Sequence, residues 1–151
     1  MKVNESVEQA VFALLILATQ KNNAPVKSSA ISDTLKISDS YLKKTLRKLV
    51  VAKLIKSSAS KDGGFQLARA FETITLYDVY RAVETEKYNP RLSDTAKNVF
   101  SDQSHVKQSE AIVVKTFLSA RSAFDEELKS LYLSTLLKPD GCIDESISMD
   151  K

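Results

Sequence analysis

Residues 28–67 read SSAISDTLKISDSYLKKTLRKLVVAKLIKSSASKDGGFQL, and this stretch decides the fold. Ile31, Thr34 and Leu35 recur at helical spacing, which predicts a short helix capped by Ser28 or Ser29 and ending near Leu35. Ser38 follows as an expected N-cap, because its hydroxyl can accept from the open N–H groups of a first turn. Beyond it Leu42, Leu46, Leu49 and Val50 form one apolar stripe, which predicts an amphipathic helix over about Asp39–Val51. Two short helices joined by a tight turn make a helix-turn-helix, whose second helix can lie in a DNA major groove.

The opposite face of that second helix carries the chemistry. Ser40, Lys43, Lys44 and Arg47 fall together there, with Tyr41 beside them at the N-terminal end. Recognition helices read base edges with their N-terminal residues, and Lys and Arg either neutralise phosphates or donate to guanine. On an ordinary helix such residues are merely solvated. Here the charge is concentrated: nine Lys or Arg lie between Lys27 and Lys61 against only Asp33 and Asp39, a net of +7 in a chain whose total is +3. That is the electrostatic footprint of a nucleic-acid face.

A hairpin follows. Leu54–Ser57 and Phe65–Ala68 read as two strands, and Ser60-Lys61-Asp62-Gly63-Gly64 between them is turn chemistry, with glycines expected to take positive φ. A cationic hairpin tip just after a recognition helix suits DNA backbone or minor-groove contact.

With these pieces in order, the chain resembles the Rrf2 family of bacterial winged-helix transcription regulators. The resemblance rests on Ile37-Ser38-Asp39-Ser40-Tyr41-Leu42, Leu46-Arg47-Lys48-Leu49, Gly63-Gly64-Phe65-Gln66-Leu67-Ala68 and the run Ile74–Glu84. It covers roughly the first 85 residues well and the C-terminal helix in outline. Two positions depart from the family pattern. Lys43-Lys44 stands where an acidic or amide pair is frequent, and the wing lacks a leading Arg-Gly, with Lys61 as its substitute. The resemblance implies a homodimeric repressor. In the family the region matching 86–104 often carries three cysteines that ligate an iron–sulfur cluster. This chain has none there, and His105 cannot replace three thiolates. The resemblance is therefore to the cluster-free, YwnA-like branch, with no cofactor expected; the sequence names no effector.

The rest of the chain fits a helical protein. Of its 151 residues 43% are hydrophobic and 27% charged, with only 3 Gly and 3 Pro. No apolar run reaches the roughly 18 residues needed to span a bilayer. Met1-Lys2-Val3-Asn4-Glu5 does not open like a signal peptide, and Cys142 is the one cysteine, so no intramolecular disulfide can form. These features predict a cytoplasmic protein with no membrane partner. Val7, Val11, Leu14, Leu15 and Ala18 predict a first helix over about 6–21; its residues alone favour core, whereas the family resemblance implies contact with a second copy, and Asn22–Pro25 reads as a loop. Thr75 and Asp78 predict a capping box for a helix ending near Thr85, with Leu76, Val79, Tyr80 and Val83 inward. Residues 86–104 form a polar variable region anchored by Leu92, Val99 and Phe100.

Two apolar stripes run along the expected long helix from Val106 to Leu131. One includes Val113, Phe117, Ala120 and Phe124, the other Ala111, Val114, Leu118 and Leu128. One stripe is expected on its own domain and the other on a second copy, with Val113, Phe117, Ala120 and Phe124 as dimer contacts. Leu131–Leu137 reads as a final helical segment, and the tail from Lys138 as flexible, with Cys142 a bystander thiol. The expected organisation is therefore mainly α with a small β-hairpin: a winged helix-turn-helix domain over 1–85, a variable region over 86–104, a dimerisation helix over 105–137 and a tail over 138–151. The candidate DNA contacts are Ser28, Ser38, Ser40, Tyr41, Lys43, Lys44, Arg47, Lys61, Gly63 and Gly64. The rival reading is a winged-helix protein–protein module without specific DNA binding. No nucleophile–base pair, phosphate loop or metal spacing recommends an enzyme.

Overall fold

Helix α1 (Glu5–Ala18) is the element on which the first part of the computed structural model is built; the structure describes residues 2–140. Asn4 caps it, its side chain accepting from the Ser6 N–H, and Glu5 and Glu8 place negative charge in the first turn, where the helix dipole favours it. Ala10, Ala13 and Leu14 are fully buried, and Leu15, Ile16 and Leu17 nearly so, as core residues. Phe12 alone among the large apolar residues of α1 stays open, 47% exposed. The helix stops earlier than its apolar run suggests. Thr19 Oγ1 and Gln20 Nε2 both donate to the Ile16 carbonyl, and Asn22 and Asn23 then turn the chain in left-handed conformation.

Helices α2 (Ser28–Leu35) and α3 (Asp39–Val51) form the helix-turn-helix and pack against α1. Both end in the same way. Lys36 (φ 55°) and Lys53 (φ 58°) take the left-handed conformation, and the next residue's N–H reaches back to Ser32 and Leu49 respectively. This is the Schellman arrangement, usually completed by glycine. Lys27, not Ser28, stands at the cap position of α2. Leu42, Leu46 and Leu49 are fully buried, as their spacing predicts, and Thr45 joins them.

The wing consists of β1 (Ile55–Ser57) and β2 (Phe65–Leu67), antiparallel with Ile55 opposite Leu67. The expected loop before α2 supplies a third member. Val26 exchanges two backbone hydrogen bonds with Phe65, each 2.8 Å, and the Asn23 amide brackets the Leu67 backbone at 2.9 and 3.0 Å. This pairing accounts for Gly64, and the hairpin's own backbone at Ser58 accounts for Gly63. Neither has the expected positive φ; each lets backbone approach closely. A Cβ at Gly64 would lie 2.5 Å from the Val26 carbonyl oxygen, and one at Gly63 2.3 Å from that of Ser58.

Helix α4 (Leu76–Val83) opens with the predicted capping box between Thr75 and Asp78, and Arg69 donates to the same carboxylate at 2.6 Å. Val79 and Val83 face the core. The chain returns here near its C-terminal end. The Leu76 N–H donates to the Leu131 carbonyl, the Leu133 N–H donates to Ile74, and Leu133 is fully buried. The expected helical segment Leu131–Leu137 is thus a β-bridge followed by a single 3₁₀ turn, Leu133–Leu136.

The chain divides into two compact units. The first runs to Thr85 and resumes at Lys129; the second is Glu86–Leu128. In the second, Asp102 caps α5 (Gln103–Ser130) by accepting from the Ser104 and His105 N–H groups. Leu92, Val99 and Phe100, expected as anchors, are exposed. Phe100 meets His105 edge to face. Arg121 lies over the Tyr88 and Phe124 rings and pairs with Asp125 at 3.0 Å. Along α5 only Val106 is buried, and Ile112, Val113, Phe117 and Leu118 are all exposed. Of the two expected stripes Val106 is buried, Val114, Phe124, Leu128 and Leu131 are half-buried, and the other residues are exposed. The tail from 141, with Cys142, lies outside the described residues. No helix among the described residues is long and apolar enough to cross a membrane.

Candidate nucleic-acid interface

Burial of Leu42, Thr45, Leu46 and Leu49 fixes the rotation of α3 and leaves Ser40, Lys43, Lys44 and Arg47 exposed on one face. Among the described residues Lys44 and Arg47 make no ion pair, so both cations remain available to an anionic partner. Lys48, which contributes to the same run of charge, is used otherwise: its ammonium donates to the Val83 carbonyl, at the C-terminal end of α4.

The start of α3 differs in detail from expectation. Ser38 occupies the cap position, but its hydroxyl bonds that of Ser40 at 2.9 Å and caps no first-turn N–H. Tyr41 is 42% exposed, and its hydroxyl shares a 3.0 Å hydrogen bond with Ser6, tying the recognition helix to the first turn of α1. Asp39 Oδ2 pairs with Lys43 Nζ at 2.7 Å. The Lys43 ammonium and the Ser28 hydroxyl hold the Asp39 carboxyl below its ordinary value of 3.8.

Ser28, Lys43, Lys61, Gly63 and Gly64 converge on one cleft of about 390 Å³ between the start of α2, the start of α3 and the wing tip. Ser28 is buried in its wall. The cleft also takes in Lys27, Ser29, Asp39, Ser58 and Ser60, which sequence spacing did not single out. Lys27 was visible only as part of the local charge; the serines carry no signal of their own.

Residues 3–139 match the Rrf2 family, described as "Iron-dependent Transcriptional regulator". YwgB of Bacillus subtilis (strain 168), named as an HTH-type transcriptional regulator, is 43% identical over 105 residues, 70% of this chain and 67% of YwgB. YffB of Lactococcus lactis, similarly named, is 43% identical over 84 residues, 56% of this chain and 54% of its own length. Among solved structures, CymR (YrzC), described as the global cysteine regulator of B. subtilis, superimposes with a TM-score of 0.64 at 22% identity over 90% of this chain and 95% of that one. T. potens IscR gives the same TM-score and identity over 97% and 96%. At that identity the two structures support the fold alone, whereas the family match spans both units. The chain, a winged helix-turn-helix protein and not an enzyme, belongs to the Rrf2 family of transcriptional regulators.

Proposed function

We propose that this chain is a cytoplasmic homodimeric repressor that reads a palindromic operator with α3 in the major groove and the wing against the adjoining backbone. The observation that carries the reading is the exposed row Ser40, Lys43, Lys44 and Arg47, set on a rigid leucine-buried helix and followed by the cationic wing tip at Lys61. Lys44 and Arg47 supply donors for base edges and phosphates, and Ser38, Ser40 and Tyr41 supply hydroxyls at the end of the helix that enters the groove. The uncovered α5 surface at Val113, Phe117 and Ala120, with Phe124 half-buried beside it, supports pairing of two copies. Two-fold pairing turns one recognition helix into a palindromic reader.

The donor set does not suit a family-type iron–sulfur cluster. Such a cluster takes three protein thiolates, and the chain has one cysteine. Among the described residues no three His, Cys, Asp or Glu side chains come together as a metal site.

Replacing Lys43, Lys44 and Arg47 together with Ala tests the site. The expected outcome is loss of operator binding in fluorescence anisotropy, with the dimer unchanged in sedimentation. Operator affinity equal to that of the parent chain would reject the assignment.

A further inference from the structure

Three lysines from three separate segments meet at the cleft beside the recognition helix: Lys27 before α2, Lys43 on α3 and Lys61 on the wing. Ser28 and Ser60 add hydroxyls to its walls. Ammonium and hydroxyl donors in this combination suit a phosphate. One residue is out of keeping with them. Asp39, the first residue of α3, puts a carboxylate into the same cleft. Its Oδ2 holds Lys43 and the Ser28 hydroxyl also favours the charged carboxylate, while Oδ1 makes no hydrogen bond of good geometry. Buried carboxylate oxygens in settled ion pairs are bonded on both sides. The side chains of Lys43 and Asp39 are 59% and 35% exposed, so water and salt weaken the hold on Lys43.

We propose that the cleft seats one backbone phosphate of DNA, and that Asp39 is an internal competitor that occupies Lys43 in the free protein and weakens the grip on DNA of any sequence. The proposal rests on the DNA-binding reading above. Lys43 exchanges a carboxylate partner for a phosphate when DNA binds, while Lys27 and Lys61, which make no ion pair among the described residues, meet the phosphate directly. A phosphate contact carries no base information. Asp39 therefore acts equally on operator and random DNA, and the base contacts at Lys44 and Arg47 provide the discrimination.

Two measurements on the full chain test this. In the first, inorganic phosphate is titrated against the protein at constant ionic strength, with chloride as the balance, and the amide signals of Ser28, Ser29 and Gly64 are followed by NMR. Saturable shifts are expected, tighter in Asp39→Asn and lost in the double variant Lys27→Ala/Lys61→Ala. Absence of saturable shifts at those amides overturns the cleft as an anion seat, whatever the DNA result. In the second, anisotropy is recorded on operator and random DNA across a salt series. Asp39→Asn is expected to tighten both by the same factor and to steepen the slope of log K against log salt by up to about 0.9. Asp39→Ser, which keeps a polar first turn, is expected to follow it, so a folding defect in one variant is recognised. A change confined to the operator makes Asp39 a base reader and overturns the proposal. Phosphate binding in the cleft with no binding to DNA of any kind overturns the DNA-binding function instead, and with it the DNA strand as ligand.

Discussion

Asp39 links stability to pH in a direction its surroundings fix. Lys43 and the Ser28 hydroxyl favour the charged carboxylate, so its folded value lies below the ordinary 3.8. Such a group stabilises the fold fully above 3.8, and that contribution is lost as pH falls through the lowered folded value. Urea unfolding of the parent chain and Asp39→Asn from pH 7 to pH 2 should show a gap that is constant at neutral pH and narrows below 3.8. A gap that widens on acidification would reverse the sign. Gly64 makes a second residue-scale case. Its substitution by Ala places a methyl 2.5 Å from a backbone oxygen that cannot rotate away. We expect a loss of about 1–3 kcal/mol, the range for overpacking, read by denaturant unfolding. The sequence marked both glycines, but for the wrong cause. Positive φ is a local property that a turn motif advertises, whereas close approach of Val26 depends on a segment nearly forty residues away. The two residues that do adopt left-handed caps, Lys36 and Lys53, are lysines and give no local sign of it.

At the scale of elements, α3 was legible at both ends because its leucines repeat over about two turns and only one rotation buries them all. The capping box of α4 was equally plain, since Thr75 and Asp78 lie three residues apart and bond each other reciprocally. Leu131–Leu137 was not. A short apolar run has no period that separates helix from bridge, and the deciding partners are the Ile74 and Leu76 backbones. The same holds for the site: the α3 face was readable as a row, whereas the cleft needs the start of α2, the start of α3 and the wing brought together. For α5 the sequence foresaw two stripes, of which Val113, Phe117 and Ala120 on one and Ala111 and Leu118 on the other are exposed. Phe117, 51% exposed on a helix otherwise rich in polar residues, is the natural probe. If two copies pair as proposed, Phe117→Glu should yield a monomer in analytical ultracentrifugation while the helical circular dichroism stays unchanged. A variant that sediments as the parent dimer would remove this face from the interface.

Across the whole molecule the charge is divided unevenly. The segment Lys27–Lys61 carries a net +7 and the rest of the chain is acidic. Part of that excess is engaged within the free protein, Lys48 on the Val83 carbonyl and Lys43 on Asp39. Counting charge therefore overstates the cations that stand clear of internal partners; among those that remain, Lys27, Lys44, Arg47 and Lys61 sit on or beside the α3 face and the wing. Positive charge alone gives salt-dependent binding to any DNA; sequence reading needs the donors of α3 held at fixed spacing. The measurement that separates the two is anisotropy of the purified full chain on the DNA upstream of its own gene and on random DNA of equal length, across a salt series. The account predicts saturable binding to a palindrome at least ~10³-fold tighter than to random DNA. Weak binding of equal strength to every fragment would contradict it, and would leave a winged-helix scaffold that contacts DNA without reading it.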